Sequence, residues 1–421
     1  MSIVRAVAVL GAVALGAAAV VAVASRTPGD VRLQKPAAGA SDPSFGARFS
    51  NEQVARHGRY RAPGYLAFGL TIVVEVAALI VLARGPMARA AGWIESLPGG
   101  LPVHALAAGA VVAVVLFAAL LPLSFVRGFV IQHAWGLSTQ DVGGWASDQA
   151  RSLVVAIVVA AIGAAAFFAV VRWQPRWWWL VGWATFTGLT ALMTFVYPIL
   201  VAPLFNRFTP LEEAPLRARL MALADEAGVA VDNVLVADAS RRTTAENAYV
   251  AGLGATKRLV LYDTLLDAGG DDETAFVVAH ELGHRVENHV FKGVAVASVG
   301  LLLSFVALLW LSGRSALWEW AGASGIADLR ALPVLVLFAT VAGLLLLPAE
   351  NAVSRAFERR ADEIALRLTD DPAAAVRTFR RLAFSNLADL RPPGVAVGML
   401  FTHPPVSERI RAAVAGSNRT Q

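Results

Sequence analysis

The 421-residue chain contains no cysteine, only seven histidines, and charged residues at just 16% of positions. Without cysteine there can be no disulfide framework, no thiolate zinc site and no cysteine nucleophile. The shortage of charge excludes more. At 57% hydrophobic residues the composition is too apolar for an ordinary soluble domain. The surplus is gathered in long uninterrupted runs, as in membrane spans. The net charge of +5 comes from basic residues scattered among loops. Topology alone puts basic residues beside spans, so no nucleic-acid partner is expected. No internal repeat is present.

Seven segments are long and apolar enough to cross a bilayer of about 30 Å: roughly 4–24, 65–84, 104–125, 152–172, 177–200, 291–312 and 331–349. Trp173, Trp177, Trp178 and Trp179 surround the short link between the fourth and fifth, where interfacial aromatics belong. The chain thus divides into a membrane region (1–200), a polar part (201–290), two more spans (291–349) and a further polar part (350–421). Within residues 201–290, NVLVAD (233–238) and KRLVLYD (257–263) read as strands. Residues 350–421 read as helical before a proline-containing tail.

Both polar parts follow an odd-numbered span, so they share one side of the membrane and can build one site. Loop 25–64 lies on that side with Arg26, Arg32, Lys35, Arg48, Arg56, Arg59 and Arg61, whereas the opposite loop 85–103 has only Arg89. The positive-inside rule then places the polar parts in the cytoplasm and the N-terminus outside. A competing pattern is the apolar run ending AVA-S at 22–25, which has the form of a secretory signal with its cleavage site. Cleavage there would leave six spans and the most basic loop outside, so an uncleaved first span is expected.

Three of the seven histidines fall within VVAHELGHRVENHVF (277–291). Turn glycines and acids (GGDDE) precede it, and Phe276, Val277, Leu282, Val286 and Val290 recur with helical periodicity. On a helix, His280 and His284 sit one turn apart and can reach one ion. Glu281 lies about 100° round, within reach of water beside that ion. Gly283 costs about 1 kcal/mol in a helix interior, so something needs the space. The bland alternative is a polar helix face with two incidental histidines. His289, five residues after His284, falls on another face and is expected to be structural or interfacial. Phe291 opens the sixth span, so the helix is expected to run directly into the bilayer.

Two histidines do not hold a catalytic zinc; a third protein ligand is needed, with one position left for water. The stretch ENAVSRAFERRADEIA (350–365) places Asn351, Arg355, Glu358 and Asp362 on one helical face. There Glu358 could bind the metal and Asp362 could hold the far nitrogen of a ligating histidine. The alternative is a solvated charged helix, but Arg355 with Arg359 and Glu358 with Asp362 are like-charged at i,i+4, which argues against one built for salt bridges.

At these residues the chain resembles the type I CAAX prenyl endopeptidases, integral-membrane zinc metallopeptidases. LPLSFVRGFVIQHAWGLSTQ (121–140), VYPILVAPLFNRFTPL (196–211), NAYVAGLGATKRLVLYDTLL (247–266), SRAFERRAD (354–362) and THPPVSERI (402–410) are similar to that family, in its order, over most of residues 45–415. The resemblance implies an α-helical polytopic membrane protein of about seven transmembrane helices enclosing a chamber. It also implies an α+β, gluzincin-like HExxH zinc metallopeptidase domain closing one end. It implies one Zn2+ per chain, Glu358 as third ligand, Asn247 and His403 at the active site, and Arg409 in the same wall. From the residues alone, Asn247 reads as a turn residue and His403 as loop. The chain departs from the family at TTAENAY, where Ser-His often precedes the asparagine, and at RVE between His284 and His289.

The reaction expected is zinc-assisted hydrolysis of a peptide bond, with Glu281 moving the proton and a donor such as His403 steadying the oxyanion. The partners expected are a peptide or protein substrate, lipidated or not, and membrane lipid, and the sequence is compatible with a monomer. The Ala-, Gly- and Arg-rich composition suggests a high-GC bacterium and its plasma membrane. Prenylated CAAX proteins are generally lacking there, so another substrate is expected. Competing readings are a membrane quality-control metalloprotease, a tethered soluble-type metalloprotease, and a transporter or scaffold that lost catalysis. The intact set His280, Glu281, His284 and Glu358 speaks against the last.

Overall fold

The computed structural model describes residues 11, 14–21, 49–252 and 257–417. Among the described residues, six helices are long and apolar enough to cross a membrane: Asn51–Ala83, Gly100–Ala134, Val142–Trp173, Trp178–Phe205, His289–Ser312 and Leu329–Thr369. They correspond to the expected spans from 65–84 onward. Of the segment 4–24, residues 14–21 are helical. Ala14 and Ala17 pack with Val74, Ala78 and Ala119, and Val21 with Ala67 and Leu123. The rest of that segment, with the AVA-S pattern, lies outside the described residues.

Small residues set the closest approaches between spans. A Cβ on Gly109 would strike the Ala160 carbonyl oxygen, so Gly100–Ala134 and Val142–Trp173 meet backbone to backbone. Gly182 likewise seats the Phe305 ring, which occupies the space a Cβ would need. Beside it the Trp183 indole donates to Ser298 O (2.9 Å), giving two apolar helices a fixed rotation. Elsewhere the spans are sparsely covered by protein, with only 6% to 33% of each apolar window buried.

The span expected at 65–84 differs from its hydropathy reading. Its helix begins at Asn51, where Ser50 and Gln53 form a reciprocal capping box. Charged residues such as Arg56, Arg59 and Arg61 hide this extension from any hydropathy window. It projects from the membrane toward the C-terminal part, where Arg61 donates to Leu387 O (2.6 Å) and Asn386 O (2.9 Å).

Residues 201–290 contribute a four-stranded sheet: β1 (Phe208–Pro210), β2 (Asn233–Ala237), β3 (Ala248–Ala251) and β4 (Arg258–Tyr262). The order is β1-β2-β4-β3, with β2 and β4 parallel and the outer pairs antiparallel. β4 is interior, and Leu259, Val260 and Leu261 are all buried, as expected of a strand covered on both faces. β3 is an edge strand.

The HELGH helix, Asp271–Val286, is buried from Thr274 to Gly283 except at Glu281. Ala275, Val278 and Leu282 join Val234, Val250, Leu259 and Leu261 of the sheet in one core. Phe276 and Ala279 turn the other way, onto Ala365, Phe379 and Ile410. Burying side chains such as Phe276 and Leu282 contributes about 1.5–3 kcal/mol each. The helix is therefore fixed in rotation between sheet and C-terminal helices. The long helix Leu332–Thr369 crosses it closely, since a Cβ on Gly283 would lie 3.1 Å from Ala361 Cα. This is the space the sequence asks for at Gly283.

Candidate active site

The rotation of the HELGH helix points the His280 and His284 rings at the long helix, where Glu358 faces them. His280 Nε2 and His284 Nε2 are 3.1 Å apart. Glu358 Oε2 lies 3.2 Å from the first and Oε1 3.3 Å from the second. A tetrahedral ion with bonds of about 2.0 Å has edges of about 3.3 Å between its ligand atoms. The two imidazoles and the carboxylate are spaced as three ligands of one small cation are, and that donor set suits zinc. Glu358 Oε2 is buried and makes no hydrogen bond, although imidazole nitrogens stand nearby. That leaves a buried carboxylate oxygen beside two imidazole nitrogens with room in its coordination for a cation.

The far side of each ring is held. His280 Nδ1 is 2.8 Å from Asp362 Oδ1. Asp362 is itself gripped by Arg409, through Nε (2.8 Å) and Nη2 (2.6 Å). A carboxylate so engaged is an acceptor, so His280 carries its proton on Nδ1 and presents a bare Nε2 to the site. Arg409, expected in the wall of the site, reaches it through Asp362.

His284 is held by His289, with the two Nδ1 atoms 2.9 Å apart. This corrects the expectation for residues 286–291. The HELGH helix does not run unbroken into the span: Glu287 ends it, and Asn288 takes a left-handed conformation (φ 54°) before His289–Ser312 begins. Asparagine tolerates that conformation better than most residues. The break swings His289 back onto His284, where a continuous helix would have carried it away. Phe357 stacks on the His289 ring at 4.3 Å.

Glu281 is partly buried beside the cluster, and the ligand-type atoms of His280, Glu281 and His284 all lie within 4.8 Å of one another. Two carboxylates could therefore complete a metal site. Glu358 faces both imidazole nitrogens squarely, while Glu281 follows His280 on the same helix and sits to one side. Desolvation pushes the Glu281 carboxyl above the ordinary carboxylate range, opposed by the charges of His280 and His284.

His403 arrives from the THPP turn with Nε2 3.2 Å from Glu358 Oε2, and its side chain is 57% exposed. Asn247 stands at the start of β3, its Oδ1 accepting from Ala248 N–H (3.0 Å). It lines a cavity of about 630 Å³ with Phe195, Tyr197, Phe205, Tyr249 and Arg285. The structure thus gathers His280, Glu281, His284, Glu358, Asp362, His403 and Arg409 into one cluster and puts Asn247 in the adjoining cavity. Sequence reasoning missed His289 as the partner of His284; only the αL-prone Asn288 before it hinted at a break.

A polytopic membrane fold with an HExxH helix and a facing glutamate defines a membrane-embedded metallopeptidase. Comparison with known proteins agrees over most of the chain. Residues 210–416 match peptidase family M48, and residues 42–207 match the CAAX prenyl protease N-terminal family, five membrane helices. The metalloprotease YhfN of Bacillus subtilis is 32% identical over 341 residues, 80% of either chain. The CAAX prenyl protease 1 homolog of Oryza sativa is 31% identical over 69% of either chain. The crystal structure of Ste24p from S. mikatae superposes with a TM-score of 0.76, covering 97% of this chain and 98% of that one at 22% identity. The chain belongs to peptidase family M48, in its CAAX prenyl protease branch, and is an integral-membrane metalloendopeptidase.

Proposed function

We propose that this protein is a zinc endopeptidase in which His280, His284 and Glu358 hold one metal ion, Glu281 is the general base and His403 an oxyanion donor. The observation that carries the reading is the convergence of both Nε2 atoms and both Glu358 oxygens at separations of 3.1 to 3.3 Å. With zinc bound, such a site supplies Lewis acidity toward water and toward the scissile carbonyl. Glu281 takes a proton from the attacking water and returns it to the nitrogen of the leaving amine. Its partly buried carboxyl, beside the two imidazoles on the same helix, is within reach of both transfers. The exposed imidazole of His403 faces the reacting space, where one hydrogen bond to the developing oxyanion is worth about 3 kcal/mol.

The substrate lies extended along β3. In that edge strand Ala248 N–H and Val250 C=O point away from β4, and an incoming peptide can add to them as a further strand. The Asn247 side chain and the Arg285 guanidinium fill these two positions in the free protein, which marks them as groups that take partners. The aromatic cavity beyond would receive apolar side chains of the peptide. Relatives named CAAX prenyl proteases support substrates presented at a membrane, lipidated ones among them. We place the site on the cytoplasmic face of a bacterial plasma membrane.

The test is hydrolysis of internally quenched peptides by the detergent-purified protein. Cleavage should vanish on chelation, return with one equivalent of zinc, and map to internal peptide bonds. Cleavage indifferent to chelation would refute the metal reading.

A further inference from the structure

Glu358 is not the only useful position on its helix face. Four residues spaced along it grip successive points of the segment 397–409. Asn351 Nδ2 donates to Met399 O (2.8 Å). Arg355 Nη1 donates to both Val397 O (2.9 Å) and Phe401 O (2.8 Å). Glu358 meets His403, and Asp362 meets Arg409. The two runs ascend together, so the segment is laid parallel to the helix and pinned on both sides of His403.

The chemistry of the upstream pin is specific. Residues Gly394–Leu400 form a helix of only seven residues, whose last carbonyls lack intrahelical partners and carry partial negative charge. Asn351 is only 4% exposed, and its amide is spent on one of these carbonyls. Arg355 Nη1 takes one more of them, Val397 O, together with the carbonyl of Phe401 just past the helix end, while its neighbours Arg359 and Arg360 turn outward to Glu408 and Glu287. Nothing in the short apolar sequence GVAVGML would otherwise fix where it ends. His403 follows that end by three residues and is itself largely exposed, so its place opposite Glu358 depends on how the preceding turn is held.

We propose that Arg355, assisted by Asn351, is a positioning residue for catalysis: it anchors the C-terminal end of the 394–400 helix so that His403 is presented at the reacting centre. The inference rests on the peptidase reading for His403's role, but not for the anchor itself.

Two measurements separate those parts. In hydrogen exchange on the full-length, metal-free protein, Arg355→Met should raise exchange across 397–403 and leave the HELGH helix protected. Asn351→Leu should do the same to a smaller degree, and Arg355→Lys should restore part of the protection. Unchanged exchange across 397–403 in Arg355→Met overturns the anchor, whatever the activity. In turnover, Arg355→Met should keep its metal and lower kcat about 100-fold, the usual penalty of a 1 Å misplacement, with KM little changed. Made in a His403→Ala background, the same substitution should cost almost nothing more. Independent, multiplicative losses overturn the claim that Arg355 acts through His403. If the wild type cleaves no peptide, the peptidase reading fails, and the exchange result alone decides the anchor.

Discussion

Asp362 Oδ1 and His280 Nδ1 stand 2.8 Å apart although 82 residues separate them in the chain. Two spans lie between, and the contact fixes which nitrogen of His280 is free to bind a metal. Asp362→Asn keeps the shape but can turn an amide N–H toward the ring, which favours the wrong tautomer. Loss of such a partner typically costs 10- to 100-fold in metal affinity or activity, so zinc affinity should fall about 10- to 100-fold. Competitive chelator titration of the purified variant measures it. Wild-type affinity would show that the pair does not orient the ligand.

His289 performs the same office for His284, and its stacking on Phe357 allows a clean substitution. His289→Phe keeps an aromatic ring of similar shape while removing the nitrogen that faces His284. Zinc affinity should drop about 10-fold or more, with the thermal transition moved little. A purely packing role would show the opposite pattern, with lower thermal stability at unchanged affinity.

Gly283 tests the crossing between the two site helices. An alanine there gains about 1 kcal/mol of helix propensity. Its methyl group, however, would meet Ala361 Cα and O at 3.1 Å, and backbone cannot step aside as a flexible side chain does. Overpacking of this kind costs about 1–3 kcal/mol, so Gly283→Ala should lower the melting temperature. The same strain moves His284 away from Glu358, and metal retention should weaken with it. A rise in melting temperature would mean that the helices can separate freely.

Orientation in the membrane can be read with single cysteines, because the chain has none of its own. Asp272→Cys lies in the polar part 201–290 and Arg176→Cys in the short loop on the opposite side; both positions are exposed. In intact cells an impermeant maleimide should label position 176 and spare position 272 until the membrane is opened. The reverse pattern would place the active site outside and overturn the charge-based topology.

Local periodicity made much of this architecture legible. The spans are runs of apolar residues, β2 and β4 are β-branched and aliphatic, and His280 and His284 fall one turn apart with Glu281 beside them. Glu358 and Asp362 could be found because they share a helix face with two more polar residues. What stayed hidden depended on contacts between distant segments or on a single backbone angle. Helix Asn51–Ala83 begins in charged sequence that hydropathy reads as loop. The left-handed turn at Asn288 brings His289 back against His284 in its structural role, where an unbroken helix would have put it on another face. From the residues alone His403 reads like any histidine before two prolines; the family resemblance pointed to the site, and the alignment of 397–409 along the long helix shows what brings it there.

The central claim is that Glu281 moves the proton while Glu358, not Glu281, completes the metal site. The direct test is zinc content and peptide cleavage measured together on purified Glu281→Gln. The account predicts one equivalent of zinc with cleavage reduced by about 100- to 10,000-fold or more, the span of general-base contributions. A variant that cleaves at the wild-type rate, or that loses its zinc, would contradict it.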